Sequence, residues 1–307
     1  MIAAPLESPR ADVENRPESR IHVVFGHTKK QRLQAAVTAA MVGHSGAAVV
    51  VAVDSGRLVA AHRLEIAARR LAKPGSSVKT FTLLALLQSG KVDAETSWMC
   101  RRKVEIGRKR LDCTHPRNAG PMTAATALAL SCNDYFTHFG ARLSDGELRD
   151  VLLRAGLASR SGLLPEEATG VVQLSRTLEE RELQAVGEYG IEVTPVELLQ
   201  AYRVLALKKR SGTAANEPLG IVLDGLEKSA RFGMARMAQV PGLEVAGKTG
   251  TALADEGRWT HGWFAGYAPA LRPEIAVVVY LERGQGPTGA AAIAGEIFRA
   301  YAAEQGP

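Results

Sequence analysis

Residues 73–82, Lys73-Pro-Gly-Ser-Ser-Val-Lys-Thr-Phe-Thr82, place Ser76 and Lys79 three positions apart at the start of a predicted helix that continues to Gly90. Residues with this spacing lie on one face of a helix, so the Ser76 hydroxyl and the Lys79 amine can meet. A serine hydroxyl is a poor nucleophile until a base removes its proton. A buried lysine can be neutral and serve as that base. The segment therefore predicts a serine nucleophile beside amides of a helix N-terminus that favour an oxyanion.

A second motif, Ser131-Cys-Asn133, lies at the break between two predicted helices. A serine and an asparagine two positions apart on a turn can both point into one cleft. Taken alone, the motif is explained more simply as a cap of the following helix.

A third motif, Lys248-Thr249-Gly250-Thr251, lies on a predicted strand. Glycine weakens a strand unless another backbone must approach it closely. A substrate peptide that adds alongside the strand would be such a case. The Lys248 amine and the threonine hydroxyls would then hold the terminal carboxylate of that peptide.

The hydrophobic pattern predicts strands near both ends of the chain and an almost wholly helical block between them. The predicted strands are 47–53, 57–61, 243–252, 262–268 and 275–281. The predicted helices are 29–42, 76–90, 122–130, 135–143, 146–155, 177–187, 195–207 and 289–303. This order favours an α/β (α+β) fold in which both ends share one sheet, flanked by helices and packed against an all-helical lobe.

We predict a polar N-terminal tail at 1–28 and one domain at 29–307. Within that domain, the predicted sheet lobe comprises 29–75 and 240–307, and the predicted helical lobe comprises 76–239.

The composition is that of a globular protein, with 307 residues of which 46% are hydrophobic and 23% charged. The formal charge of +6 could attract an anionic polymer. No nucleic-acid signature accompanies the charge, so we expect no nucleic-acid partner and interpret most of the charges as solvated faces. No segment reaches the ~18 apolar residues that span a bilayer, so we predict no transmembrane segment. The start of the chain has no signal-peptide pattern.

The three motifs, in this order, form the set found in penicillin-binding proteins and class A β-lactamases. Neighbouring residues resemble the high-molecular-mass penicillin-binding transpeptidases more specifically, and the similarity spans roughly 29–303. The matching segments are 73–82, 129–136 (ALSCNDYF), 190–195 (GIEVTP), 246–252 (AGKTGTA) and 263–269 (WFAGYAP). Two features depart from the family: its usual N-terminal anchor and extra domain are not visible, and the segment between Gly56 and Ser76 is shorter than usual.

The resemblance implies a β-lactamase/transpeptidase-like fold with a mainly antiparallel sheet. It also implies a covalent reaction that needs no cofactor. Ser76 would attack the penultimate D-alanine carbonyl of a peptidoglycan stem peptide, or a β-lactam, with Lys79 as general base. The backbone amides of Ser76 and Thr251 would form the oxyanion hole, and Ser131 would relay a proton to the leaving amine.

By the same resemblance, Asn133 would bind the side-chain amide of the substrate, and Lys248, Thr249, Gly250 and Thr251 would form its carboxylate site. The acyl-enzyme would pass to an amine in cross-linking or to water in a carboxypeptidase. The implied partners are the peptidoglycan stem peptide, β-lactam antibiotics and other cell-wall synthesis proteins. The implied location is extracytoplasmic, in the periplasm or cell envelope.

Two alternatives to transpeptidase or carboxypeptidase activity remain open at this stage. A class A β-lactamase needs a glutamate loop, and the segment Pro165-Glu-Glu-Ala-Thr-Gly170 lacks the asparagine spacing of that loop. Class D β-lactamases usually have an apolar residue where Asn133 stands. A non-catalytic β-lactam sensor is the other alternative, although every expected catalytic side chain is present.

Cys100, Cys113, His115 and Cys132 lie in one segment that leads into the second motif. Three cysteines are too few, and odd in number, for a disulfide scaffold. The simplest interpretation is buried free thiols and a surface histidine. Thiol and imidazole groups also suit zinc, and a disulfide between two of the cysteines suits a domain outside the cytosol.

Overall fold

The computed structural model describes residues 26–117, 119–212, 218–254 and 257–303. Most of the predicted tail, at 1–25, and the last four residues, 304–307, lie outside the described residues. The first helix begins at His27, inside the segment predicted as tail. The predicted division of the domain into two lobes stays a prediction.

Ten α-helices lie in the described parts of the chain. They are α1 His27–Ala40, α2 Leu64–Arg69, α3 Lys79–Gln88, α4 Ala124–Ala129, α5 Asn133–Gly140, α6 Glu147–Arg154, α7 Leu178–Ala185, α8 Pro195–Arg210, α9 Pro218–Arg231 and α10 Ala291–Ala302. Short 3₁₀-helices lie at Gly75–Val78 and Arg236–Ala238, and a π-helical turn lies at Gly286–Ala290.

Eleven strands lie in the same described ranges. They are β1 Gly46–Ala52, β2 Leu58–His62, β3 Ser97–Met99, β4 Glu105–Ile106, β5 Lys109–Arg110, β6 Pro121–Thr123, β7 Val171–Val172, β8 Ile191–Glu192, β9 Ala246–Leu253, β10 Thr260–Ala268 and β11 Ile275–Leu281. Five of them form the central sheet in the order β2-β1-β11-β10-β9, and the other six form three two-stranded pairs.

All neighbours in the central sheet are antiparallel, which confirms the predicted fold class. Strands from both ends of the chain meet where β1 pairs with β11, for example Val49 opposite Val278. Both strands are completely buried because helices cover both faces of the sheet. Their β-branched sequences suit such a position. Strand β9 forms an edge of this sheet and pairs with β10.

Alternate residues of the central strands enter two separate hydrophobic cores. Val49 and Val278 belong to the core that also contains Val78 and Phe81 of the Ser76 segment. Their neighbours Val50 and Val277 face the other core, which packs against α1 and α10. The Ser76 segment therefore lies on one face of the sheet, opposite the two terminal helices.

Several predicted boundaries needed correction. Residues 243–245, predicted as strand, precede β9, and Leu243 forms only an isolated bridge with Val240. Helices α2 and α9 and the small strands between 97 and 123 were not predicted. Among the described residues, no helix combines the length and the apolar character needed to cross a membrane.

Candidate active site

Ser76 lies in the 3₁₀ turn that leads directly into α3, of which Lys79 is the first residue. Residues three apart are eclipsed in 3₁₀ geometry, so both side chains leave the backbone on the same side. Ser76 is partly exposed, whereas Lys79 is completely buried. The local structure thus presents a hydroxyl to solvent above an enclosed amine.

The Lys79 amine lies against the Ser131-Cys-Asn133 turn. Its Nζ donates to the Ser131 carbonyl oxygen at 2.9 Å and to the Ser131 hydroxyl at 3.3 Å, and also to Asn133 Oδ1. Ser131 has a positive φ of 54°, which bends the chain sharply between α4 and α5 and directs both polar groups to one amine. The first two motifs are therefore in direct contact.

Burial favours the neutral form of the Lys79 amine. Loss of hydration lowers the pKa of the Lys79 amine from its usual 10.5 to about 8, and the thiols of Cys113 and Cys132 and the Glu188 carboxylate only partly oppose this change. The three hydrogen-bond acceptors around the amine are uncharged oxygens, so no carboxylate hydrogen-bonded to it stabilises the ammonium form. Burial consequently shifts Lys79 toward the neutral amine.

The third motif packs against the other side of the Ser76 segment. A methyl group at Gly250 would lie 2.2 Å from the Pro74 carbonyl oxygen, and one at Gly75 would lie 2.5 Å from the Thr251 carbonyl oxygen. Gly75 also has a positive φ of 51°. Only glycine at both positions allows β9 to approach the turn so closely. This approach brings the backbone of Thr251 next to Ser76.

Lys248 is the second buried lysine of the site. Burial, reinforced by the charge of Lys79, holds the pKa of the Lys248 amine well below its usual value. Its Nζ donates to the Thr249 carbonyl oxygen at 3.0 Å. The Thr251 hydroxyl accepts a hydrogen bond of 3.0 Å from the Gly286 amide, and its side chain remains partly exposed.

The structure thus brings the predicted site residues together to different degrees. Lys79, Ser131 and Asn133 are in direct hydrogen-bond contact. Gly250 and Thr251 reach the Ser76 segment through backbone packing. Within the described ranges, the Lys248 side chain bonds only to the backbone of its neighbour Thr249, and the side chains of Ser76 and Thr249 make no hydrogen bond to another predicted site residue.

Residues 46–303 match the family described as the penicillin binding protein transpeptidase domain. The chain belongs to this family. The matched residues span the three sequence motifs described above and the whole central sheet.

The chain is also similar to curated proteins, each over part of its length. Stage V sporulation protein D of Bacillus subtilis is 27% identical over 74% of this chain and 41% of the relative. The peptidoglycan D,D-transpeptidase MrdA of Acinetobacter baumannii is 25% identical over 56% of this chain and 33% of the relative. The chain therefore spans less than half the length of these two relatives.

Solved structures share the fold of this transpeptidase domain. The penicillin-binding protein PBP2 of Helicobacter pylori has a TM-score of 0.78 at 19% identity, covering 90% of this chain and 63% of that one. The D,D-transpeptidase domain of a peptidoglycan glycosyltransferase from Eggerthella lenta has a TM-score of 0.73 at 23% identity, covering 90% and 82% respectively.

Tyr202 of α8 also bonds to the segment that carries Ser76, a contact that the sequence pattern did not predict. Its hydroxyl donates to the Ser77 carbonyl oxygen at 2.8 Å and is 2.7 Å from the Thr80 hydroxyl. It ties α8 to the segment that carries Ser76. Helical periodicity alone marks Tyr202 only as a core position.

The predicted cysteine and histidine group lies immediately beside the second motif of the transpeptidase domain. One potential ligand atom from each of Cys100, Cys113, His115 and Cys132 lies within 4.8 Å of all the others. The prediction that His115 is a surface residue is wrong, because only 3% of it is exposed. All three cysteines are free thiols, of which Cys113 and Cys132 are buried.

Proposed function

We propose that this chain is a serine D,D-transpeptidase domain, acylated at Ser76 by the D-Ala-D-Ala stem peptide during peptidoglycan cross-linking. One observation carries the proposal. The Lys79 amine, on the segment that bears Ser76, contacts Ser131 and Asn133, while Gly250 and Thr251 pack against the same segment. Two motifs that are far from this segment in sequence thereby contact the segment that carries Ser76.

In the acylation step, the Ser76 oxygen attacks the penultimate D-alanine carbonyl carbon and the neutral Lys79 amine takes the hydroxyl proton. The backbone amides of Ser76 and Thr251 stabilise the oxyanion, each contributing roughly 3 kcal/mol. The close packing of Gly75 on Thr251 supports this pairing of amides. The C–N bond to the terminal D-alanine then breaks, and that amine leaves with a proton.

Ser131 is the proposed proton relay to the leaving amine. Its hydroxyl lies 3.3 Å from Lys79 Nζ, which supports a short path for the proton that Lys79 has taken up. The proposed role of Asn133 is to bind the side-chain amide of the substrate. Its own Nδ2 donates to the Leu111 carbonyl oxygen at 2.8 Å, and this bond holds the side chain in a fixed orientation.

The proposed carboxylate site comprises Lys248, Thr249, Gly250 and Thr251. An arriving carboxylate would favour the protonated form of Lys248, which burial otherwise disfavours. The outer edge of strand β9 would pair with the backbone of the peptide. We further propose that the substrate places the domain outside the cytoplasm, and that other cell-wall synthesis proteins are its partners. A solved complex of a similar protein, PBP2 with MreC from Helicobacter pylori, supports the latter.

A β-lactamase of the class A type receives no support from the glutamates in the helical region. Glu166 pairs with Arg69, and both carboxylate oxygens of Glu167 are occupied by backbone amides and the hydroxyl of the 161–164 segment. In the described part of the chain, neither carboxylate has a hydrogen bond to Ser76, Lys79 or Ser131. Neither is therefore placed to activate water for deacylation.

The nucleophile is tested by intact mass after incubation with a penicillin. We expect the wild type to gain the mass of one penicillin and Ser76→Ala to gain none. Ser89→Ala, at the far end of the same helix, is the matched control and should gain the same mass as the wild type, because the Ser89 hydroxyl is bonded to the Ala85 carbonyl oxygen. If both the wild type and Ser76→Ala gain the mass of a penicillin, or if neither does, Ser76 is not the nucleophile.

A second measurement separates an enzyme from a sensor. With a pentapeptide ending in D-Ala-D-Ala, we expect release of D-alanine and, when an acceptor amine is present, formation of the cross-linked product. Release of D-alanine with hydrolysis as the sole outcome would identify a carboxypeptidase. Penicillin acylation without release of D-alanine would identify a sensor and refute the transpeptidase proposal.

A further inference from the structure

The group formed by Cys100, Cys113, His115 and Cys132 has the dimensions of a tetrahedral metal site. Its four potential ligand atoms all lie within 4.8 Å of one another, and the Cys113 and Cys132 sulfurs are 3.8 Å apart. Zinc binds thiolate at about 2.3 Å, and two sulfurs at that distance in a tetrahedron are about 3.8 Å apart. The Cys113 and Cys132 sulfurs thus already have the separation that zinc requires.

His115 provides a second and independent observation. Its side chain is almost completely buried, and its Nδ1 lies 3.0 Å from the Pro116 carbonyl oxygen. Donation from Nδ1–H to that oxygen leaves the Nε2 lone pair free. Nε2 is buried and has no hydrogen-bond partner among the described residues. A buried polar atom without a partner is rare, and metal-binding histidines characteristically use their other nitrogen in such a bond.

Each sulfur of the group also accepts a backbone N–H. The amide of Arg102 donates to Cys100 at 3.3 Å, that of Asp134 to Cys113 at 3.4 Å, and that of Tyr135 to Cys132 at 3.4 Å. Such bonds favour the negatively charged thiolate, which is the form that binds metal.

The loops that carry the four residues are held together by charged side chains. Arg102 donates to the carbonyl oxygens of Cys113 and His115 at 3.1 and 3.0 Å. Asp134, one residue into α5, accepts from the Arg101 backbone amide at 2.7 Å and from Trp98 Nε1 at 2.8 Å. These contacts join the segment after β3, the 113–115 loop and the start of α5 around one point. The ligand geometry therefore rests on several fixed elements.

We propose that Cys100, Cys113, His115 and Cys132 bind one Zn²⁺ ion in a structural site. Three thiolates and one imidazole form a soft, tetrahedral donor set that suits zinc. Because all four positions would be filled by protein ligands, the ion would have no open position for water or substrate. Binding by three thiols and a neutral imidazole releases up to three protons and leaves a net charge of −1 at the site.

The site would stabilise the second motif, because Cys132 stands between Ser131 and Asn133 and its sulfur caps α5. A metal that holds Cys132 fixes the turn that presents both neighbours to Lys79. This consequence rests on the proposed function, whereas metal binding itself does not.

The test begins with the purified chain, reduced, treated with a chelator and then titrated with Zn²⁺. We expect saturation at one zinc per chain and release of protons into weakly buffered solution. Titration with Co²⁺ should produce thiolate-to-metal charge transfer in the near ultraviolet and the visible bands of tetrahedral cobalt.

His115→Ala and Cys100→Ser should lower zinc affinity at least ~100-fold, since loss of an outer-shell partner alone costs 10- to 100-fold. His44→Ala is the matched control, because His44 is exposed and outside the group, and it should bind one zinc like the wild type. Circular dichroism checks that each variant is folded.

If the wild type binds no zinc, the proposal is wrong, whatever the variants do. Unchanged affinity in folded His115→Ala, or a disulfide between Cys113 and Cys132 in zinc-treated protein, would also overturn it. Acylation of Ser76 by penicillin is scored separately, so the zinc proposal and the proposed function can fail independently.

Discussion

The Lys79 amine is buried, and its hydrogen-bond acceptors are all uncharged oxygens. Its pKa is lowered to about 8 by burial, and only the neutral form can take the Ser76 proton. The neutral fraction increases as pH rises through that value. We therefore expect the rate of penicillin acylation to rise with pH, with a midpoint about 8, and then to level off. Stopped-flow or intact-mass kinetics, corrected for spontaneous hydrolysis of the penicillin, measure this profile. A rate that falls or stays constant across that region would contradict the role of Lys79.

Gly250 determines how closely β9 approaches the Ser76 segment. In Gly250→Ala the new methyl group would lie 2.2 Å from the Pro74 carbonyl oxygen, so the strand must move away. We expect the second-order rate constant for acylation to fall by at least ~10-fold, because misplaced oxyanion donors are costly. Gly26→Ala is the control, since nothing lies within 4 Å of a methyl group there. Equal acylation rates in the two variants would argue against this packing.

The Tyr202 hydroxyl links helix α8 to the segment that carries Ser76. Tyr202→Phe removes the bonds to the Ser77 carbonyl oxygen and the Thr80 hydroxyl, and leaves buried polar groups without partners. We expect the free energy of unfolding to fall by about 1–3 kcal/mol, and acylation to slow. Urea denaturation and acylation kinetics measure the two effects.

Tyr135→Phe is the matched control for Tyr202→Phe. The Tyr135 hydroxyl is buried and has no hydrogen-bond partner among the described residues, so its removal should be neutral or stabilising. If both variants lost the same stability, the loss would not come from the bonds of Tyr202.

The start of α5 carries both the second motif and one proposed zinc ligand. Removing zinc should loosen the turn at Ser131 and Asn133, and we expect slower penicillin acylation that recovers when Zn²⁺ is restored. At a free Zn²⁺ concentration ~100 times its Kd, the free energy of unfolding should increase by about 2.7 kcal/mol. Acylation rates and urea denaturation with and without zinc measure both effects. Identical curves would show that the turn does not depend on the metal.

Over the whole molecule, the central sheet has a hydrophobic core on each face, and only one of them contacts the Ser76 segment. We therefore expect mutations in the other core to affect stability more than acylation. Phe298 of α10 is fully buried in the core opposite the Ser76 segment, where it packs edge-on against Phe264. We expect Phe298→Ala to cost about 3–5 kcal/mol of stability, measured by urea denaturation, while the folded fraction keeps its acylation rate. Phe232→Ala is the control, because Phe232 is 47% exposed, and it should cost far less. A large loss of acylation in folded Phe298→Ala would show that the two faces are coupled.

The local sequence pattern was sufficient to predict the central strands and to identify the three motifs. Strands β1 and β11 are continuous runs of β-branched and apolar residues. Such runs are typical of strands that are buried on both faces of a sheet, so they can be recognised without knowing how the sheet is packed. Helix α9 escaped prediction because its glycines lower helix propensity. A methyl group at Gly225 would lie 2.8 Å from Leu128 Cδ2 on α4, so close helix packing accounts for the glycine.

The sequence by itself determined which chemical groups exist and in which order: a serine and lysine on one helical face, a serine and asparagine on a turn, and a lysine, threonines and glycine on a strand. Only the tertiary structure decided the lowered pKa of Lys79, the contact of β9 with the Ser76 segment, and the burial of His115 beside three thiols. Charge state and ligand geometry depend on hydration and on atoms distant in sequence. Those atoms become neighbours only when the chain is folded.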